Sequence, residues 1–212
     1  DAETLITAMQ TVQATVDSLS QWIEINSSWD ETMIVVTGTY ETGFITGSDF
    51  DANQRSPEYY TQTVPIENGT VGEVPNMIFQ SNLPTKFATP LFATGVGSDE
   101  FSNYIDQEDF VYGHVINNSE IGQACFRLLP DPTQTITKPK NIILMINDGM
   151  GFNHMKIGEY YAGAQQQYQD FPVTLGMSTY PLATNENTDE VRHWNNSYES
   201  RLAWTDTKYL WG

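Results

Sequence analysis

Leu5, Met9, Val12, Val16, Leu19 and Ile23 recur at alternating spacings of four and three, with Thr, Gln and Asp between them. Such a stripe predicts a core-facing helix of about six turns. Asn26, Ser27 and Ser28 break it, and residues 32–37 (T-M-I-V-V-T) are β-branched and apolar enough to predict a central strand. A helix followed by a buried strand argues for an α/β layer. Residues 38–89 are rich in Gly, Pro, Asn, Ser and Thr and predict a long excursion with short strands. The run P-L-F-A-T-G-V-G at 90–97 predicts another strand, and residues 119–129 a helix with Ser119 as its cap. Residues 130–139, with three prolines, predict a stiff, exposed linker between a segment 1–129 and a segment 140–212.

After the linker, N-I-I-L-M-I-N-D-G-M-G at 141–151 delivers Asp148 into a glycine turn. The apolar run Ile142 to Ile146 predicts a parallel strand buried on both faces, with Asp148 at its carboxyl edge, where α/β enzymes keep their chemistry. An ordinary buried strand ending in an Asp-Gly turn fits the same residues, so spacing alone leaves both readings open. A helix is expected at 153–164 and a strand at 174–180, followed by a polar tail carrying Trp194, Tyr198, Trp204, Tyr209 and Trp211.

With 212 residues, 39% of them apolar and 12% aromatic, the chain can bury a substantial core. Its formal charge of −18 (9 basic against 27 acidic residues) repels phosphate backbones and anionic membranes, so nucleic acid is not an expected partner. Only 17% of residues are charged, so the imbalance comes from scarce Lys and Arg, a pattern suited to salty surroundings. No apolar run reaches the ~18 residues of a membrane span, and the first residues lack the pattern of a signal peptide. The one cysteine, Cys125, excludes an internal disulfide and reads as a small buried hydrophobe on a helix. Four Asn-X-Ser/Thr sequons, at Asn26, Asn68, Asn117 and Asn195, matter only in a eukaryotic secretory route. His114, His154 and His193 share no metal-ligand spacing and read as surface or locally bonded histidines.

Residues 140–151 (K-N-I-I-L-M-I-N-D-G-M-G) resemble the opening strand of alkaline phosphatases, where K-N-[VI]-I-L-[FM]-I-G-D-G-M-G supplies a metal-bridging Asp. The likeness continues through residues 171–180 and 203–206, which in the family precede a T-D-S-A segment bearing the nucleophilic serine. This chain is expected to stop short of that serine. The first half resembles the family's carboxyl-terminal part, through V-T-G-T-Y-E-T-G at 36–43, P-L-F-A-T-G-V-G at 90–97 and residues 109–129. Family tail thus comes first and family head second, as in a tandem junction, a circular permutation or a fragment of either. We expect a piece of something longer. The resemblance implies an α/β fold with an alkaline-phosphatase-like central, mostly parallel sheet flanked by helices, incomplete or permuted.

The family hydrolyses phosphate monoesters with a serine nucleophile, two zinc ions and a magnesium, each held by anionic oxygen or imidazole donors. Where the resemblance places Asp-His before Glu-Thr-Gly, this chain has Thr39 and Tyr40 before Glu41. A Thr hydroxyl is neutral, and Tyr, with a reference pKa of ~10, keeps its proton at neutral pH. The position of a further ligand, a His six residues before P-L-F-A, falls on Pro84, whose side chain has no donor atom. Asp148 remains as a metal-ligand candidate. Glu41 stands beside the site but reads as a solvated turn carboxylate, and Asn147 adds bulk where the family usually has Gly. Thr207, in Thr205-Asp206-Thr207, mimics a nucleophile motif, although Lys208-Tyr209-Leu210 replaces the small residues that normally follow it.

The expected function is an alkaline-phosphatase-like chain, catalytically inactive by itself, with a structural or assembly role alongside other copies or segments of the same parent protein. No cofactor is expected in its first half; zinc and magnesium enter if the second half belongs to an active site. The rival is part of an active extracellular metal-dependent phosphomonoesterase completed by sequence beyond Gly212. Acidity and family habit suggest an extracellular or periplasmic location.

Overall fold

The computed structural model describes residues 1–51, 66–129, 138–179, 198 and 200–205. Helix α1 spans Ala2–Asn26 and buries Leu5, Ile6, Met9, Val12, Val16 and Ile23, the stripe that its sequence predicts. Asp1 caps it by accepting the Thr4 N–H at 2.9 Å. Strand β1, Thr32–Gly38, is buried at every residue. Short strands β2 (Glu41–Thr42), β3 (Ile45–Thr46), β4 (Ile78–Phe79) and β5 (Pro84–Thr85) punctuate the excursion, pairing β2 with β5 and β3 with β4. Strands β6 (Thr89–Gly95), β7 (Gln107–Asp109) and β8 (Gly113–Asn117) follow, then helix α2 (Asn118–Arg127). Beyond the linker come β9 (Asn141–Asn147), helix α3 (Phe152–Ala162), β10 (Val173–Ser178) and helix α4 (Ser200–Thr205).

Six strands form one sheet in the order β7-β8-β10-β6-β1-β9. Strands from before and after the linker share it: β9 lies parallel to β1, and β10 inserts between β8 and β6. The sheet is mixed and not mostly parallel as expected, because β6 runs antiparallel to both β1 and β10 and β7 antiparallel to β8, leaving only β1–β9 and β8–β10 parallel. Side-chain alternation along β1 divides the core into two layers. Ile34 and Val36 pack with α1 and with Met155 and Ile157 of α3. Met33 and Val35 face Ile121 and Ala124 of α2 and the buried Phe101.

Three local expectations are corrected. Strand β9 is not buried on both faces: among the described residues it pairs only with β1, at the edge of the sheet. Ile143 and Met145 pack toward α1, whereas Leu144 and Ile146 on the opposite face are 42% and 57% exposed. An apolar run signals burial, but whether a strand has one neighbour or two is decided by partners far away in the chain.

The cap of α2 is Asn117, not Ser119. Its Oδ1 accepts the Ser119 N–H at 2.9 Å, and Glu120 returns the favour by accepting the Asn117 N–H at 2.6 Å. Asn117→Ala is expected to lower stability by about 1 kcal/mol in urea titration, the usual value of such a cap. Cys125 is only half-buried, because the α2 face that carries it looks into an open groove rather than a closed core.

Helix α4 is fastened by one carboxylate. Asp109, only 1% exposed, accepts the Val111 and Tyr112 N–H groups on Oδ1, and the Tyr198 hydroxyl, the Ser200 hydroxyl and the Trp204 indole N–H on Oδ2. Trp204 also packs on Phe87, with ring centroids 4.5 Å apart. The sequence expectations at Thr207 and His193, residues 130–137 of the linker, Tyr180 and most of the tail lie outside the described residues.

Candidate functional site

Strand β1 ends at Gly38, where a Cβ would meet the Met150 carbonyl oxygen at 2.2 Å. Only glycine lets the Asp148 turn fold down onto this strand end. The turn reverses at Gly149, with φ at +79°. Asn147 ties it in place, its side-chain amide donating to the Thr37 carbonyl at 3.2 Å while its own carbonyl accepts the Thr39 N–H at 3.3 Å. The bulk noted at this position is thus accommodated beside β1 rather than inside the turn.

Thr39 and Asp148, 109 residues apart in sequence, meet here: the Thr39 hydroxyl donates to Asp148 Oδ1 at 2.7 Å and accepts the Gly149 N–H at 3.0 Å. Tyr40 lies beside the same carboxylate, whose charge holds the phenol above its ordinary pKa. Pro84 lies on β5 opposite Thr42 and is exposed. The positions that the resemblance marks as ligand positions therefore gather around Asp148 and the β2–β5 pair, but they carry two hydroxyls and an imino acid.

Glu41 departs from its expected role as a solvated turn carboxylate: it is 5% exposed. Pairing of β2 with β5 draws it inward, and the bare Gly151 leaves it room, since a Cβ there would lie 2.3 Å from Glu41 Cγ. The Thr85 hydroxyl donates to Glu41 Oε2. Burial pushes its carboxyl up to about 7, against the lowering effect of the Thr85, Ile45 and Phe44 hydrogen bonds.

His154, which the sequence reads as a surface or locally bonded histidine, is buried and locally bonded at the first turn of α3. Its Nδ1 accepts the Gly151 N–H at 3.1 Å, and burial pushes the imidazole down to about 4. A protonated ring would lose that acceptor and set a positive charge at the positive end of a helix. Thr85 is a participant missed by sequence reasoning, and only the adjacent Pro84 drew attention to its segment. Tyr112 completes the wall, stacking on Phe152 with centroids 3.8 Å apart. Burial, then Asp109, then Glu41 hold the Tyr112 phenol well above its ordinary value.

Zinc and magnesium do not fit this donor set. Asp148 is exposed but already accepts the Thr39 hydroxyl proton, and Glu41 is sunk in its own pocket with its hydrogen bond to Thr85 made. Thr39, Tyr40 and Pro84 supply no anionic or imidazole donor. Among the described residues no cluster of three or more His, Cys, Asp or Glu stands ready for a metal. His114 is exposed, on β8.

A groove of about 590 Å³ borders the other side of β9, with Thr39 at one end and Ile121, Cys125, Phe126, Leu144 and Ile146 among its walls. Burial raises the Cys125 thiol, which keeps it protonated and poorly nucleophilic. Among the described residues, no helix is long and apolar enough to cross a membrane. Comparison with known protein families, curated proteins and solved structures yields no match.

Proposed function

We propose that this chain is an alkaline-phosphatase-like scaffold that does not hydrolyse phosphate esters and acts by assembling with other copies or segments of its parent protein. The observation that supports this reading is that a neutral hydroxyl, rather than a metal-ligand donor, stands against Asp148. Its carboxylate accepts the Thr39 hydroxyl, with the Tyr40 phenol beside it, at the two positions where the resemblance calls for carboxylate and imidazole. A phosphoryl-transfer site has to stabilise charge on the attacking and leaving oxygens. Neutral hydroxyls beside the remaining carboxylate leave a net negative pocket, which repels the phosphate dianion instead.

The test is zinc content and p-nitrophenyl phosphate turnover of the purified chain, alone and as the triple variant Thr39→Asp, Tyr40→His, Pro84→His. The parent chain is expected to take up no stoichiometric zinc and to show no turnover. The variant, having regained anionic and imidazole donors around Asp148, is expected to bind zinc at least about tenfold more tightly. Stoichiometric zinc with turnover in the unmodified chain overturns the reading in favour of a working phosphomonoesterase.

A further inference from the structure

Strand β9 and its two flanking residues read K-N-I-I-L-M-I-N-D from Lys140 to Asp148. Laid antiparallel against itself about Leu144, this segment is its own complement. Asn141 falls opposite Asn147, Ile142 opposite Ile146, Ile143 opposite Met145, Leu144 opposite Leu144, and the two ends bring Lys140 against Asp148. Among the described residues the outer edge of β9 has no partner strand.

We propose that β9 pairs with β9 of a second copy of this chain, forming a symmetric dimer whose two-fold axis passes through Leu144 and whose sheet runs continuously across both copies. The proposal names the partner for the assembly role above and rests on that reading for its purpose. An open edge strand presents unpaired N–H and C=O groups to any matching strand, and an isologous two-fold interface requires self-complementarity of the kind this segment has.

Side-chain placement agrees with the pairing. Ile142, Leu144 and Ile146 share the groove face, and directly opposed residues of an antiparallel pair lie on the same face. The two grooves therefore meet, and Leu144, Ile146 and Phe126, which are 42%, 57% and 74% exposed in the single chain, are covered by their counterparts. On the opposite face Ile143 and Met145 extend the layer beneath α1 in each copy.

Charge selects both partner and register. The net charge of −18 opposes casual self-association, so a contact between copies needs local complementarity. Lys140 and Asp148 supply it twice across the axis. Lys140 already bonds Glu31 within its own chain and retains donor capacity, since an ammonium offers three protons. Sliding the pair by two residues sets Asp148 opposite Ile142, or Lys140 opposite Ile146, placing a charge against an apolar side chain at each end.

Analytical ultracentrifugation of the full chain at physiological salt is expected to show a concentration-dependent monomer–dimer equilibrium. Lys140→Glu and Asp148→Lys, each turning two attractions into repulsions, are expected to weaken dimerisation by about tenfold, and the double variant to recover the original affinity. Leu144→Cys in a Cys125→Ser background is expected to cross-link through position 144 on mild oxidation, because only a two-fold axis at that residue brings the two thiols together. Far-UV circular dichroism of each variant confirms that the fold is kept. A chain that stays monomeric overturns the proposal, and so does a dimer indifferent to charge reversal that fails to cross-link at 144. A monomer without zinc or turnover sinks the pairing alone and leaves the scaffold to another partner; a dimer with zinc-dependent turnover sinks the scaffold reading alone.

Discussion

Asp109→Ala is expected to cost about 3 to 5 kcal/mol of folding stability, since several buried donors lose their acceptor at about 1 to 3 kcal/mol each and undocking relieves part of the loss. It is also expected to release the helix Ser200–Thr205 from the body of the protein. Five donors converge on that carboxylate, three of them from the Tyr198 and Ser200–Trp204 region and two from the turn after β7. Alanine leaves the Val111 and Tyr112 amides without that acceptor and the Tyr198 hydroxyl proton without its own, beside Phe87, Ala88 and Val115. The chain lowers that penalty by letting α4 undock and hydrate, so amide hydrogen exchange at residues 200–205 should accelerate well before global unfolding. Asp109→Asn keeps the shape but turns an NH2 group toward atoms that are themselves donors, and it is expected to recover less than half of the loss. Unchanged exchange at 200–205 in Asp109→Ala would show that the helix is held by its aromatic packing and not by the carboxylate.

A second large effect concerns pH. Glu41 has a folded-state value of about 7 against 4.5 for the free side chain, so its contribution is fully present below about pH 4.5 and is lost as pH rises through about 7. His154 runs the other way: at about 4 when folded against 6.5 free, its contribution is present above pH 6.5 and is lost as pH falls through about 4. Each swing amounts to about 3 kcal/mol, at 1.36 kcal/mol per pKa unit. Between about pH 4.5 and 6.5 the two slopes are equal and opposite, and together these groups leave stability level. Glu41→Gln leaves the histidine slope unopposed, so stability relative to the parent chain is expected to rise by about 3 kcal/mol from pH 4.5 to 7, the window of the removed carboxyl. His154→Asn leaves the glutamate slope unopposed, a fall of similar size relative to the parent chain from pH 4 to 6.5. Urea midpoints across a buffer series report both difference curves, and curves that stay flat or run parallel refute the opposed pair.

Elements that carry their own periodicity were legible in the sequence. The stripe from Leu5 to Ile23 predicts α1, T-M-I-V-V-T predicts the fully buried β1, and P-L-F-A-T-G predicts β6, each within a few residues of its bounds. Features decided by distant partners were not. Nothing within I-I-L-M-I says that β9 stands at an edge, since that depends on which strands lie beyond it. Burial of Glu41 depends on Thr85, 44 residues away, and on the missing Cβ of Gly151. Asp109 illustrates both cases at once: its bonds to the amides of residues 111 and 112 are a local turn motif, whereas those from Tyr198, Ser200 and Trp204 arrive from about 90 residues downstream. The meeting of Thr39 and Tyr40 with Asp148 was legible only through the family resemblance, because no periodicity links residues more than a hundred positions apart.

Strand β1 lies between β6 and β9, and its register against β9, Thr32 beside Asn141 through Gly38 beside Asn147, closes a loop of more than a hundred residues. Bringing ends that far apart together costs about 4 kcal/mol of chain entropy before any contact rewards it. The pairing of β1 with β9 is therefore expected to be slow and governed by topology rather than by local propensity. Until β9 has been made, one edge of the apolar strand β1 lacks its parallel partner, and that edge is what a chaperone would shield in a newly made chain.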